Sequence, residues 1–257
     1  MTNPSDNIFE LLTHHMSDSV LIRINLFGAD LSITKYVLYM LIISLGLFWF
    51  LYSIARKYKK RGISAPDRSM MLIEVFIEFV RDDIVRPFIG PDRERAYLHF
   101  FCTQFLFILA CNLVGLIPKS VTVTSNLAVT MGLALVTFFF TQIYGMVLRG
   151  PISYWKHLVP EGVPVFLAPI IGLNEFISMF SKPFALMIRL FANMLAGHII
   201  IFVILYLVIM FRNVFLGVLT VPTAVAVSLL EIFVCLLQAY IFTFLSAIFV
   251  GMAGEAH

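Results

Sequence analysis

Arg189-Leu190-Phe191-Ala192-Asn193-Met194-Leu195-Ala196-Gly197-His198 puts a guanidinium inside a stretch apolar enough to be buried in a membrane. Between Lys182 and Arg212, Arg189 is the only Lys, Arg, Asp or Glu. A lone cation at bilayer depth costs a few kcal/mol on insertion scales and about 10 or more in simulations. It persists where it has a partner, a wet cavity or a task. The run that holds it, residues 166–211, is roughly twice the 20 or so residues a spanning helix needs. Glu175, Lys182, Pro183 and Arg189 interrupt it, and the next run, up to residue 250, is also overlong and carries Glu231.

Outward from there the chain stays apolar. It is 60% hydrophobic and 13% charged, against about 25% charged in average globular chains, and its mean hydropathy is +0.95. The pattern predicts an all-α polytopic membrane protein forming one domain over residues 1–257, with about five membrane helices and one amphipathic interfacial helix. The expected parts are an outside N-terminal segment at 1–35, a first span at 36–55, the interfacial helix at 65–88, a helical hairpin at 96–148, and a tilted hairpin at 166–250. Charges in the 65–88 segment (Glu74, Glu78, Arg81, Asp82) recur at helical spacing and leave an apolar face, as in helices that lie in the membrane interface.

Ten Lys and Arg lie between Arg56 and Arg95, which by the positive-inside rule makes that side cytoplasmic. Alternation then puts the N-terminus and Lys119 outside and the C-terminus inside. The first residues lack a basic stretch leading into an apolar core, so no signal or transit peptide is expected. This points to a bacterial cell inner membrane, with the mitochondrial inner membrane as the alternative. A formal charge of +3 is too small to suggest nucleic acid. Cys102, Cys111 and Cys235 lack metal-ligand spacing and read as small buried hydrophobes. No metal or cofactor is expected. Without a G-x-x-x-x-G-K loop, no nucleotide site is expected either.

The polar residues of the last two helices form a set. Glu175, Lys182 and Arg189 are spaced by seven and share a stripe that Asn193 extends. Lys182 is placed to salt-bridge Glu175 or a lipid headgroup. His198, nine beyond Arg189, points away. Glu231, Cys235 and Gln238 share a face of the last helix. With a turn at Arg212-Asn213, facing positions of an antiparallel hairpin sum to about 425. That register sets Arg189 near residue 236, close to Gln238, and His198 near residue 227, within a turn of Glu231. Arg189 is 23 residues from Arg212. That is about 35 Å of helix, while half the hydrocarbon core is about 15 Å, so the hairpin must tilt steeply or bend. Carboxylates and imidazole can exchange protons. Arginine keeps its own. Proton-exchanging groups on both sides of a fixed cation describe two half-paths with a barrier between them.

At these residues the chain resembles subunit a of the rotary (F-type) ATP synthases. The resemblance runs from the interfacial helix through Asn112-Leu113-Val114-Gly115-Leu116-Ile117-Pro118 to the C-terminal helices. It is most specific at Ser181-Lys182-Pro183 with the Arg189–His198 stretch, and at Leu230-Glu231 and Leu237-Gln238-Ala239-Tyr240-Ile241-Phe242. It implies that Arg189 faces the ion-binding carboxylate of a rotating c-ring and that Gln238 is its neighbour across the hairpin. It implies that His198 and Glu231 line an outer half-channel, and that Glu175, with Asn193, lines an inner one. The implied partners are the c-ring, the peripheral-stalk subunit b, the rest of the ATP synthase and membrane lipid. The residues alone also leave open an ion-coupled secondary transporter and a structural membrane subunit.

Overall fold

The computed structural model describes residues 20–22, 25–26, 29–30, 33–61, 68–117, 120, 122–156, 166–211 and 214–254. Among these residues five helices are long and apolar enough to cross a membrane, as expected of a multi-pass membrane protein. Ahead of them, four strands of two or three residues pair as two small antiparallel ladders, Val20–Ile22 with Ile33–Thr34 and Asn25–Leu26 with Ala29–Asp30.

Helix α1, Lys35–Arg61, is longer than the expected first span and carries the basic cluster on its last turns. Lys and Arg are good helix formers and neither Gly nor Pro falls between Arg56 and Arg61. Its Leu41, Ile42, Leu45, Phe48 and Trp49 are exposed, and Ile43 packs with Cys111 and Val123.

The interfacial element is described from Arg68 onward; its expected start at 65–67 lies outside the described residues. It is three pieces rather than one helix: α2 (Arg68–Phe79), a π-helical turn (Val80–Val85) and α3 (Arg86–Ile89). The Arg86 N–H donates to the Arg81 carbonyl, five residues back. Pro87, with no N–H, cannot continue an α-helical ladder. The turn buries Val80, Ile84 and Val85 completely. Outside it, Arg86 bridges Asp82 at 2.9 Å and Glu94 at 2.8 Å, which ties this element to the first residue of the next helix. The hydrogen bond from Arg81 holds the Asp82 carboxyl below the usual carboxylate range.

Helices α4 (Glu94–Gly115) and α5 (Leu127–Arg149) follow, and the Phe100 and Phe140 rings stack between them. Lys119 in their connection lies outside the described residues. Asn126 caps α5 by accepting the Ala128 N–H at 2.9 Å. A six-residue helix that the sequence did not announce, α6 (Pro151–Lys156), follows Gly150 at φ 80°. Then come α7 (Ala168–Phe211, 44 residues) and α8 (Val214–Gly254, 41 residues). The turn residues Arg212 and Asn213 lie outside the described residues. Each long helix extends about 60 Å, twice the roughly 30 Å hydrocarbon core. Neither can stand upright across it.

Apolar burial drives helix association weakly in lipid; close packing and polar cross-links matter more. Phe101, Phe105 and Ile108 of α4 meet Leu186 and Leu190 of α7 and Ala239, Phe242 and Val250 of α8 in one core. Gly251 lets α8 approach the backbone of Phe88, where a methyl group would sit 2.6 Å from its carbonyl oxygen. Inside this core the Gln104 side chain donates to Thr137 Oγ1 at 2.7 Å and to Ser246 Oγ at 3.3 Å, and so links α4, α5 and α8.

Candidate functional site

Helices α7 and α8 run antiparallel with their polar residues on the shared seam. Asn193 Nδ2 donates to Gln238 Oε1 at 2.7 Å. Four residues further along, a methyl group on Gly197 would overlap the Glu231 carboxylate. Lys182 Nζ lies 5.7 Å from the centre of the Phe249 ring. Facing positions therefore sum to 428–431, a slip of three to six residues from the register expected from a turn at Arg212-Asn213. The slip lets a hydrogen bond, a glycine recess and a cation–π contact form together. Hydrophobic patterning does not distinguish registers on helices that are apolar nearly all round.

The slip redistributes the expected partners. Gln238 sits across from Asn193, one turn from Arg189, and is itself buried. Arg189 instead lines an open groove of about 300 Å³ with Ser178, Ser181, Lys182, Leu245 and Phe249. Its side chain is exposed, and among the described residues no carboxylate pairs with it. Lys182 reaches Glu175 Oε1 at 3.8 Å, which bears out the stripe of residues spaced by seven. Glu175 is exposed.

On the other side of the Asn193–Gln238 bond lies Glu231, 7% exposed, with Oε2 buried and unpartnered. His198 does not bond to it. Nine residues from Arg189, the imidazole turns to the α4–α5 connection, where its Nε2 lies 2.6 Å from Thr122 Oγ1. One turn earlier on α4, Asn112 accepts from Thr124 Oγ1 at 2.8 Å, both fully buried. Sequence reasoning missed Thr122 and Thr124. The cue was the polar Thr122-Val123-Thr124-Ser125 between two apolar runs, which reads as an ordinary loop until the 3₁₀ turn at Val123–Ser125 tucks it against α7. Cys111 and Cys235 are buried as expected, and Cys102 is half-buried.

Along the seam the order is thus Glu175 and Lys182, then Arg189, then the Asn193–Gln238 bond, then Glu231 with His198. Two sets of ionisable groups lie on either side of a cation that has no acidic partner among the described residues. The cross-link has a measurable weight. Asn193→Leu leaves the buried Gln238 amide unpaired and is expected to cost about 1–3 kcal/mol, whereas Gln238→Leu leaves only the exposed Asn193 amide and should cost less. The double variant should recover roughly 0.6 kcal/mol or more of the sum. Unfolding of the purified complex by SDS would measure this, and strict additivity would deny the bond an energetic role.

The chain matches the family described as ATP synthase A chain over residues 37–251. A protein of Chloroherpeton thalassium named ATP synthase subunit a is 42% identical over 232 residues, covering 90% of this chain and 69% of the relative. The proteins of that name from Chlorobium phaeobacteroides (40% over 261 residues, 96% and 75%) and Myxococcus xanthus (42% over 224 residues, 87% and 73%) are similarly close. The stripe on α7, the facing acid and amide on α8 and this extent of identity agree: the chain belongs to the ATP synthase A chain family.

Proposed function

We propose that this chain is the stator subunit of the ATP synthase membrane motor and gives a rotating c-ring two offset proton half-channels. It sits in the bacterial inner membrane beside the peripheral-stalk subunit b. A proton enters from the outside past His198 and Glu231 and neutralises a ring carboxylate. The neutral site then turns into lipid, since an uncharged acid is far cheaper to desolvate than a carboxylate. After nearly a full turn it reaches the inner path beside Glu175, releases its proton and returns as a carboxylate to Arg189. Arg189 favours the ionised site and keeps its own proton, so protons do not pass directly between the half-paths. Asn193 and Gln238 hold the two long helices together at the level between the arginine and the outer pair.

The observation that carries this reading is the exposed Arg189, without an acidic partner among the described residues, with acidic groups on both sides of it along one seam. A purely structural cation would have its counter-ion in its own chain. The test is purification through a tag on this chain. Co-migration with a c-ring and a soluble ATPase, and ATP-driven acidification of vesicles holding that assembly, are expected. Isolation of the chain alone, still able to exchange ions across vesicles, would favour a secondary transporter.

A further inference from the structure

We propose that Thr122 is a positioning residue that fixes the tautomer of His198, holding a proton on Nε2 and leaving Nδ1 as the nitrogen that exchanges protons. The Thr122 hydroxyl has one hydrogen to donate and two neighbours that could take it. His198 Nε2 is 2.6 Å away and the Gly115 carbonyl is 3.3 Å away. Gly115 is the last residue of α4, and carbonyls at a helix end lack intrahelical donors. Among the described residues Thr122 is the donor that reaches this one. An unpaired buried carbonyl is costly, so the hydroxyl hydrogen goes to Gly115. The hydroxyl oxygen is then left as an acceptor facing the ring, and Nε2 must carry the hydrogen between them.

This arrangement suits both charge states. In neutral His198, Nε2–H donates to Thr122 and Nδ1 is bare. In the imidazolium, Nε2–H still donates to Thr122 and the added proton sits on Nδ1. Uptake and release then need no turn of the hydroxyl and no break in the Gly115–Thr122–His198 chain. In the opposite arrangement, with Thr122 donating to Nε2, the Gly115 carbonyl loses this donor and the hydroxyl must turn whenever Nε2 takes up a proton. Gly115 makes the approach possible: a methyl group there would stand 2.7 Å from Thr122 Cγ2 and 3.2 Å from the hydroxyl.

Among the described residues, the side chain that bonds to the His198 ring is Thr122, not an ionisable group. From α8 the group beside His198 is Glu231, whose carboxylate lies against Gly197. On α4, Cys111 packs with Ile43 and Val123. From Leu127 to Ile143, α5 carries no ionisable side chain, and on α7 Arg189 is nine residues away.

The inference rests on the reading of His198 as a group of the outer path, and the test separates the two. The whole complex, labelled with ¹⁵N-histidine, is compared as wild type, Thr122→Val and Thr122→Ser, with His198→Asn used to identify the His198 signals. Neutral His198 in the wild type should show a protonated Nε2 and a bare Nδ1. Thr122→Val should mix the tautomers, and Thr122→Ser should keep the native one. ATP-driven pumping by Thr122→Val should slow roughly fivefold, the scale of one neutral hydrogen bond, with Thr122→Ser near wild type. A wild-type His198 protonated at Nδ1, or a spectrum that Thr122→Val leaves unchanged, overturns the assignment. If His198→Asn pumps at the wild-type rate, the outer-path reading fails, while the spectrum still judges the tautomer.

Discussion

Arg189→Ala is expected to abolish ATP-driven proton pumping while the complex still assembles. Arg189 is exposed in its groove and pairs with no carboxylate among the described residues. Truncation therefore strands no buried counter-charge in this chain, and stability should change little. What is lost is the field felt by the ring carboxylate. Two unit charges about 4 Å apart at an effective dielectric of about 20 interact by about 4 kcal/mol, roughly three orders of magnitude in an equilibrium or a rate. Without it the ring site stays protonated as it passes the inner path, and the barrier between the half-paths is gone. Sealed vesicles holding the purified complex give both readings: acidification on adding ATP, and passive leak under an imposed potential. Loss of the first with a rise in the second is the expected pair. Arg189→Lys should not restore coupling, because a desolvated lysine can release its proton. Coupled pumping by Arg189→Ala would take the residue out of the mechanism.

Arg189 was legible in the sequence because charge at bilayer depth is costly and therefore conspicuous. The same cost exposed Glu231, Glu175 and Lys182, and spacing by seven correctly joined Lys182 to Glu175. Spacing also turned His198 away from Arg189. It could not say what the imidazole would meet there, because the partner, Thr122, is 76 positions earlier on a different element. A single threonine hydroxyl in a connecting turn has no signature beyond polarity. The register of the long hairpin was hidden for a related reason. On helices that are apolar nearly all round, every register buries a similar area, and Asn193–Gln238, Gly197–Glu231 and Lys182–Phe249 decide between them. Element ends suffered where helix propensity outran the apolar run, as in α1, or where a proline forced a wider turn, as before Pro87.

Glu231→Gln separates packing from proton transfer at the outer pair. The carboxylate fits because Gly197 has no side chain, and glutamine has nearly the same shape. Oε2 is buried without a hydrogen-bond partner. An amide of this shape leaves the packing in place, and its unpaired N–H groups cost at most about 1–3 kcal/mol. If Glu231 only fills space between α7 and α8, the glutamine variant should lose no more stability than that and should pump normally. If Glu231 passes protons to the ring, stability should change as little while pumping falls by about 100-fold or more, the scale of a lost proton-transfer group. The second outcome is expected, because a glutamine amide cannot take up and release a proton near neutral pH. Thermal unfolding of the complex and ATP-driven acidification, measured on one preparation, distinguish the two. A variant that pumps at the wild-type rate would make Glu231 a packing residue and leave His198 to serve the outer side alone.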